Sequence, residues 1–263
     1  MLRVYQRTRQ LLKKSSRSLL VLAVTFGFAQ EATTGYAARA CANGRISSTV
    51  YFVPSHNEGR YASCSSPSFV RAGSQSIKVC PRFRSEVRMQ GSGLLQTPQG
   101  TYVLRYTGRV ERQNCNGTVK GAAGRCLMPF FSIAADPRYH RLGDIVYVPE
   151  MAGRLVRLPP DNREISHPGY FRVDDVGGAI KGRNRFDFYT GTMGPRANNN
   201  FFGSRGPRGT QMATANQCNK TARTLAYNSG AWQSAIEKMA IAMGRGSGTL
   251  LAESQSGSRG GRR

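Results

Sequence analysis

Residues 172–191 read RVDDVGGAIKGRNRFDFYTG, with carboxylates on both sides of a pair of glycines. Because glycine has no β-carbon, Gly177 and Gly178 are predicted to adopt positive φ and to let a ligand or another strand approach closely. Asp175 and Asp187 flank this turn, and two carboxylates held together repel, so one keeps its proton to a higher pH. Such a proton can be given to a glycosidic oxygen near neutral pH. The alternative is a tight turn whose aspartates cap backbone amides.

The neighbours of Asp187 suit a buried acid. The segment RFDFYTG alternates aromatic and polar residues, which predicts a half-buried strand. Burial of Asp187 against the adjacent aromatic rings would raise its pKa further. Tyr189, together with Lys181, Asn184 and the two glycines, is predicted to line a sugar site.

Residues 41–200 have the composition of a β-rich domain. β-branched and aromatic residues are concentrated in RISSTVYFVP, TYVLRYTGRV, GDIVYVPEM, GYFRVDDV and RFDFYTG. Turn signals such as SHNEG and PPDN separate these stretches, and helical periodicity is scarce. The pattern predicts a mainly β fold, a compact β-barrel rather than a parallel α/β sheet.

The pattern changes after about residue 209. Residues 209–244 are predicted to form one or two helices, interrupted near the sequence NSG. One apolar face is expected to pack on the core, formed by Trp232, Ile236, Met239 and Met243. Residues 245–263 are rich in Gly, Ser and Arg and are predicted to be a disordered basic tail.

Residues 1–40 have the features of a signal peptide. A basic segment precedes the apolar run LLVLAVTFGF, which is too short to cross a bilayer as a stable helix, and small residues follow. Cleavage is predicted near Ala40, with Ala29 as the alternative site. A cut after Ala40 would place Cys41 first, so lipidation at Cys41 is left open. We expect an exported protein whose mature chain has no membrane span.

Six cysteines follow this segment: Cys41, Cys64, Cys80, Cys115, Cys126 and Cys218. An even number in an exported chain predicts disulfides. The short loops favour Cys64–Cys80 and Cys115–Cys126, which would leave Cys41–Cys218 to tie the ends. The chain has no Cys-x-x-Cys pair, and its three histidines are well separated, so no metal site is predicted. No cofactor is expected either.

The charge of the chain indicates a polyanionic partner. The net charge is +24, and residues 41–263 alone carry +18. Nucleic acid would be the expected partner inside a cell, but the signal peptide and cysteines argue against it. For an exported protein the candidates are anionic wall polymers and a membrane surface. A soluble basic surface without a specific partner is the alternative.

The segment DDVGGAIKGRNRFDFYTG resembles the signature of the 3D domain, which is named for three aspartates. This is the barrel domain of the membrane-bound lytic murein transglycosylase A family. Asp175 matches the aspartate before the glycines, and Asp187 matches the later one. SIAADPRYHRLGDIVYVPE is similar to the earlier part of the signature, with Asp136 as its aspartate. The resemblance covers residues 134–191.

The resemblance implies a six-stranded double-psi β-barrel and an enzyme that cleaves peptidoglycan glycan strands. Asp187 would act as the acid and then as the base that closes a 1,6-anhydro ring. Asp175 would tune or orient it, and Asp136 would be structural or a second tuner. Residues 41–105 are short for the second β domain of those enzymes, so the alternative is a non-catalytic wall-binding protein on the same barrel.

Overall fold

The computed structural model describes residues 44–57, 61, 64–197, 200, 202 and 220–256. The strands are β1 Arg45–Tyr51, β2 Ser68–Ala72, β3 Gln75–Val79, β4 Ser92–Thr97, β5 Gly100–Arg105, β6 Val110–Arg112, β7 Ser132–Ala135, β8 Ile145–Tyr147, β9 Arg154–Leu158, β10 Arg163–His167, β11 Tyr170–Val176, β12 Arg185–Tyr189, β13 Lys220–Thr221 and β14 Arg223–Leu225. The helices are α1 Pro81–Gln90, α2 Gly230–Met243 and α3 Ser247–Ser256. The prediction of a mainly β fold is confirmed.

The central sheet has seven strands in the order β13-β1-β12-β7-β11-β8-β14. The pairs β1–β12 and β7–β11 are parallel, whereas the other pairs are antiparallel. The two edge strands, β13 and β14, are separated in the chain only by Ala222. The chain thus joins both edges of the sheet, which is nearly closed into a barrel. The double-psi topology of this barrel stays a prediction.

Alternation along β12 separates the core from the candidate site. Phe186 and Phe188 are buried and belong to the main apolar cluster, in which the rings of Phe171 and Phe188 meet edge to face with centroids 4.8 Å apart. Each fully buried phenylalanine contributes about 1.5–3 kcal/mol by leaving water. Because successive side chains of a strand point to opposite faces, Asp187 faces away from this core.

A second apolar cluster lies between α1 and the three-stranded sheet β4-β5-β6. Helix α1 has proline at its first turn, where no backbone donor is needed, and buries Phe83 and Val87. Four of its ten residues are Arg or Glu at positions 82, 84, 86 and 88, which hides the apolar periodicity. The sequence therefore did not predict this helix.

The helical prediction for residues 209–244 is correct only in its second half. Helix α2 begins after Ser229, whose side chain accepts a hydrogen bond from the Trp232 amide, and its predicted apolar face is buried at Trp232, Ile236 and Met239. Residues 220–225, by contrast, form β13 and β14, since pairing with the exposed edges of β1 and β8 overrides local helix propensity. Residues 209–219 lie outside the described part.

The prediction of a disordered tail from residue 245 is wrong as far as residue 256. Helix α3 occupies this segment, and its Leu250 and Ser254 are fully buried. Burial of these two side chains offsets the entropic cost that the Gly- and Ser-rich composition predicts. Residues 257–263 lie outside the described part, as does the predicted signal peptide.

Two of the three expected disulfides are confirmed. Cys64–Cys80 and Cys115–Cys126 are bonded, with Cα atoms 5.7 and 5.5 Å apart. Cys41 and Cys218 lie outside the described residues, so their pairing stays a prediction. Within the described ranges, no helix is both long and apolar enough to span a membrane.

Candidate functional site

Four residues on neighbouring strands form a row that contains both predicted catalytic aspartates. Ala134 on β7 pairs with Asp187 on β12 and with Asp175 on β11, while Thr49 on β1 pairs with Asp187. Directly paired residues share one face of a sheet. Strands are about 4.8 Å apart, so the Cα atoms of the two aspartates are about 10 Å apart. The small side chain of Ala134 lies between the two aspartates in this row.

The Asp187 carboxyl is largely enclosed by protein and held by one hydroxyl. Thr49 Oγ1 donates to Asp187 Oδ1 at 2.7 Å, and Thr49 in turn accepts from Arg185 Nη2 at 2.8 Å. Burial raises the pKa of Asp187 to about 6, and the charge of Asp175 adds to this, whereas Thr49 and Arg185 oppose it. A carboxyl with this pKa can donate and accept a proton near neutrality.

Asp175 is held by a disulfide-closed loop. Its Oδ1 accepts from the backbone N–H groups of Ala122 and Val176, both at 2.9 Å. Burial raises the pKa of Asp175, while these two hydrogen bonds lower it. Ala122 lies in the loop closed by the Cys115–Cys126 disulfide. The loop therefore fixes the position of the second carboxylate.

Asp136 has a different environment from the other two aspartates. It is buried, and the Arg138 guanidinium donates to both of its oxygens, at 2.6 Å from Nη2 to Oδ2 and 3.1 Å from Nε to Oδ1. The Gly182 N–H donates to Oδ2 at 2.8 Å. The hydrogen bonds from Arg138 and Gly182 hold the pKa of Asp136 below its usual range. Asp136 thus anchors the turn before β12 through these contacts, and its role as a structural residue or a second tuner stays a prediction.

The predicted glycine conformation is wrong. Neither Gly177 nor Gly178 adopts positive φ. A β-carbon on Gly177 would lie 2.6 Å from Ile180 Cγ1, so glycine is needed there for close packing within its own turn. Lys181 is exposed and Asn184 is partly buried just before β12. Substrate contacts by the two glycines, Lys181 and Asn184 stay predictions.

Tyr189 does not agree with a role in lining a sugar site. Only 1% of its surface is exposed, its hydroxyl is hydrogen-bonded to Thr118, and its ring centroid lies 5.2 Å from that of Tyr51. Tyr189 therefore packs behind the candidate site. Sequence reasoning also missed Thr49 and Ala122, since they are distant from Asp187 in the chain. A polar residue at an alternate position of the strand RISSTVY was the available signal for Thr49.

The histidines do not form a ligand set. His56 accepts from the Cys80 N–H, His140 contacts the Arg183 carbonyl, and His167 contacts the Phe130 carbonyl. Burial lowers the pKa of His167 to about 4, so its ring is neutral near pH 7. Among the described residues, no three His, Cys, Asp or Glu side chains are grouped to hold a metal ion.

A cavity of about 1090 Å³ lies at the carboxyl ends of β1 and β12. Its uncharged polar lining includes Ser55, Gln90, Gln96, Thr101, Asn116, Thr118, Asn162 and Thr192, and its charged lining residues are Arg82, Glu86 and Arg196. The Ser55 hydroxyl is 1% exposed and has no hydrogen-bond partner within the described ranges. Neither candidate aspartate lines the cavity, but Thr118 connects it to Tyr189 behind the site.

Residues 131–203 match the family model described as the 3D domain, which confirms the resemblance in the region of all three aspartates. No match was found among curated proteins. The chain contains a 3D domain, and this domain is the part of the central barrel that carries the candidate site.

Solved structures similar to the chain are lytic transglycosylases. MltA of E. coli with bound chitohexaose is 17% identical, with a TM-score of 0.38, and the match covers 56% of this chain and 65% of that one. The chain thus spans just under two thirds of that structure. LtgG of Burkholderia pseudomallei is 18% identical, with a TM-score of 0.35 and coverages of 67% and 70%. Another MltA structure from Escherichia coli is 15% identical, with a TM-score of 0.38 and coverages of 71% and 74%.

Proposed function

We propose that this chain is an exported enzyme that cleaves peptidoglycan glycan strands by a lytic transglycosylase-type mechanism. The observation that carries the proposal is the placement of Asp187 within the 3D domain. This carboxyl is largely enclosed, has a pKa raised to about 6, and lies across Ala134 from a second carboxylate. These are the properties that a single acid–base group needs.

In the proposed reaction, protonated Asp187 gives its proton to the glycosidic oxygen between N-acetylmuramic acid and N-acetylglucosamine. The bond from C1 of the muramic residue to that oxygen breaks, and N-acetylglucosamine leaves with a hydroxyl group. The Asp187 carboxylate then takes the proton of the muramic C6 hydroxyl as its oxygen bonds to C1, which closes the 1,6-anhydro ring. No water is activated, so one carboxylate serves both steps, whereas hydrolysis usually needs two.

Asp175 and Thr49 support Asp187 in this scheme. The negative charge of Asp175 favours the protonated form that starts the reaction, while the Thr49 hydroxyl holds the carboxylate that the first step leaves. Asp136, bound to Arg138, takes no part in proton transfer.

The cavity at the carboxyl ends of β1 and β12 supports binding of a glycan, since most of its polar lining residues are uncharged. Its amide and hydroxyl groups match sugar hydroxyls and acetamido groups, and the buried Ser55 hydroxyl lacks a partner within the described ranges. The net charge of +18 on residues 41–263 also favours attraction to anionic wall polymers or a membrane surface.

We place the protein in the periplasm, outer membrane or wall compartment of a bacterium. The predicted signal peptide and the two disulfides support export, because disulfides persist in oxidising compartments. Cleavage near Ala40 and lipidation at Cys41 belong to the same proposal and are tested by mass spectrometry of the mature N-terminus.

A non-catalytic wall-binding protein is the second candidate. The observation that favours it is that neither Asp187 nor Asp175 lines the cavity, so a glycan bound there need not reach them. Both candidates use the same barrel and the same partner.

Incubation of purified sacculi with the protein separates the two functions. We expect release of 1,6-anhydro-muropeptides, loss of release in Asp187→Asn, and unchanged release in Asp161→Asn, an exposed aspartate in the turn between β9 and β10. Mass spectrometry of the soluble fraction measures the products. Pelleting of the wild-type protein with sacculi, without any release, would establish the binding function instead.

A further inference from the structure

Two buried arginines next to the candidate site share one carboxylate. Arg172 is completely buried and Arg125 is 7% exposed. Arg172 Nε donates to Asp174 Oδ1 at 2.7 Å, Arg125 Nε donates to the same oxygen at 3.2 Å, and Ser132 Oγ donates to Oδ2 at 2.5 Å. Two buried guanidinium groups against one carboxylate are costly unless other acceptors satisfy the remaining donors.

Helix α3 supplies two such acceptors through a single residue. Ser254 Oγ accepts from Arg172 Nη1, and the Ser254 carbonyl accepts from Arg125 Nη1 at 3.0 Å. The same hydroxyl donates to the Leu250 carbonyl at 2.7 Å, which fixes its orientation. Ser254 is completely buried. We call Arg125, Arg172, Asp174 and Ser254 the buried arginine cluster.

The cluster reaches the candidate site through a bulge in β11. Asp174 is the extra residue where the register of β11 against β7 shifts, and Asp175 follows it directly. The Asp174 carbonyl accepts from the Ala123 N–H at 3.0 Å, and a β-carbon on Gly121 would lie 2.5 Å from that oxygen. The neighbouring Ala122 N–H binds the Asp175 carboxyl. Two adjacent backbone N–H groups of the loop thus hold both aspartates of the bulge, Asp174 by its carbonyl and Asp175 by its carboxyl.

Arg125 connects the same loop to α3. It lies within the loop closed by Cys115–Cys126, and its carbonyl accepts from the Gly121 N–H at 3.0 Å. Ser254 therefore touches the loop through Arg125 and the bulge through Arg172. The disulfide-closed loop and the bulge of β11, which together hold Asp175, therefore both depend on Ser254.

We propose that α3 is a positioning element: Ser254 orders the buried arginine cluster, and the cluster keeps the bulge and the disulfide loop together so that Asp175 stays beside Asp187. The part of this inference that concerns cleavage rests on the proposed function. The part that concerns the position of Asp175 does not.

Replacement of the Ser254 hydroxyl tests the inference in the full chain. Ser254→Ala removes one acceptor and keeps a good helix former. We expect the acid dissociation constant of Asp175, measured by carboxyl ¹³C NMR titration, to change about three-fold or more, because a loosened contact alters both the burial of this carboxyl and its hydrogen bond from the Ala122 N–H. Thr249→Ala, at an exposed position of α3, leaves the constant unchanged. Ser254→Thr retains the hydroxyl and restores the wild-type value.

A second variant, ending at residue 246, removes α3 entirely and should give a larger shift of the same sign. A lower Tm in Ser254→Ala with an unchanged dissociation constant of Asp175 would overturn the proposal, since α3 would then only stabilise the fold. The titration requires no cleavage. If the wild-type protein releases no anhydro-muropeptides, yet Ser254→Ala changes the acid dissociation constant of Asp175, the proposed enzyme function fails and the positioning role stands.

Discussion

At the scale of single residues, the candidate site depends on how one carboxyl is solvated. Phe186 and Phe188 enter the core, and Asp187 between them faces the row formed with Ala134 and Thr49. Burial favours the neutral acid, whereas the Thr49 hydroxyl and Arg185 favour the anion. The balance places the pKa at about 6, within the range where a change of one hydrogen bond is measurable.

Thr49→Val tests this balance. Because the protonated acid starts the proposed reaction, wild-type cleavage should fall as the pH rises through about 6. Valine removes the donor that stabilises the anion, so the pKa of Asp187 should rise and the falling limb should move to higher pH. The measurement is kcat/KM against pH, with Thr249→Val, at an exposed position of α3, as the control. A falling limb that moves to lower pH in Thr49→Val would contradict the assignment of Asp187 as the proton donor.

At the scale of elements, the loop closed by Cys115–Cys126 joins two parts of the site. Its Ala122 N–H holds Asp175, and its Thr118 hydroxyl meets Tyr189. The other disulfide, Cys64–Cys80, instead joins the start of α1 to the segment before β2. The two bridges close loops of similar length but differ in their distance from the aspartates in the fold.

Removal of each bridge should therefore have different consequences. The double variant Cys115→Ser/Cys126→Ser removes one bridge, and Cys64→Ser/Cys80→Ser removes the other. From the entropy of loop closure, each double variant should have a free energy of unfolding lower by about 3 kcal/mol. Only the first pair should also reduce kcat, because it frees the Ala122 N–H from Asp175. Urea titrations and the sacculus assay measure the two effects. An equal loss of kcat in both double variants would show that stability alone limits the activity.

At the scale of the whole molecule, closure of the barrel and its charge depend on the C-terminal region. The strands β13 and β14 pair with β1 and β8 at the two edges of the sheet, and α2 and α3 contribute Trp232 and Leu250 to the main core. A chain ending at residue 244 would lose α3 together with the arginines at positions 245, 259, 262 and 263. Residues 257–263 contain three arginines and no acidic residue, so they are the appropriate segment to remove when charge is tested.

Binding to sacculi should weaken steeply as salt rises, because charges on exposed groups are screened over about 8 Å at physiological ionic strength. A chain ending at Ser256 lacks those three arginines and should show a shallower salt dependence, with an unchanged Tm. Pelleting with sacculi across a salt series compares the two chains. Identical curves would assign the wall affinity to the folded part of the protein.

Several features of the protein were predictable from the sequence because they are encoded locally. Strand alternation identified RFDFY and GYFRVDDV, and both are strands of the central sheet. The motif around residues 172–191 identified the 3D domain. Short spacing identified the two confirmed disulfides. In each case the residues that carry the information lie close together in the chain.

Only the tertiary structure decided how those residues are used. Thr49 lies 138 positions from Asp187 in the chain, and Ser254 lies 82 positions from Arg172, so each contact exists only after the barrel has formed. Asp136 lies in the same sequence signature, but only the fold shows that Arg138 and Gly182 hold its carboxylate, which gives it an environment unlike that of Asp187. Composition predicted disorder for residues now in α3, since local propensity contains no term for burial against a distant partner. The local pattern determined which groups are available, and long-range packing determined their solvation, their partners and therefore their pKa values.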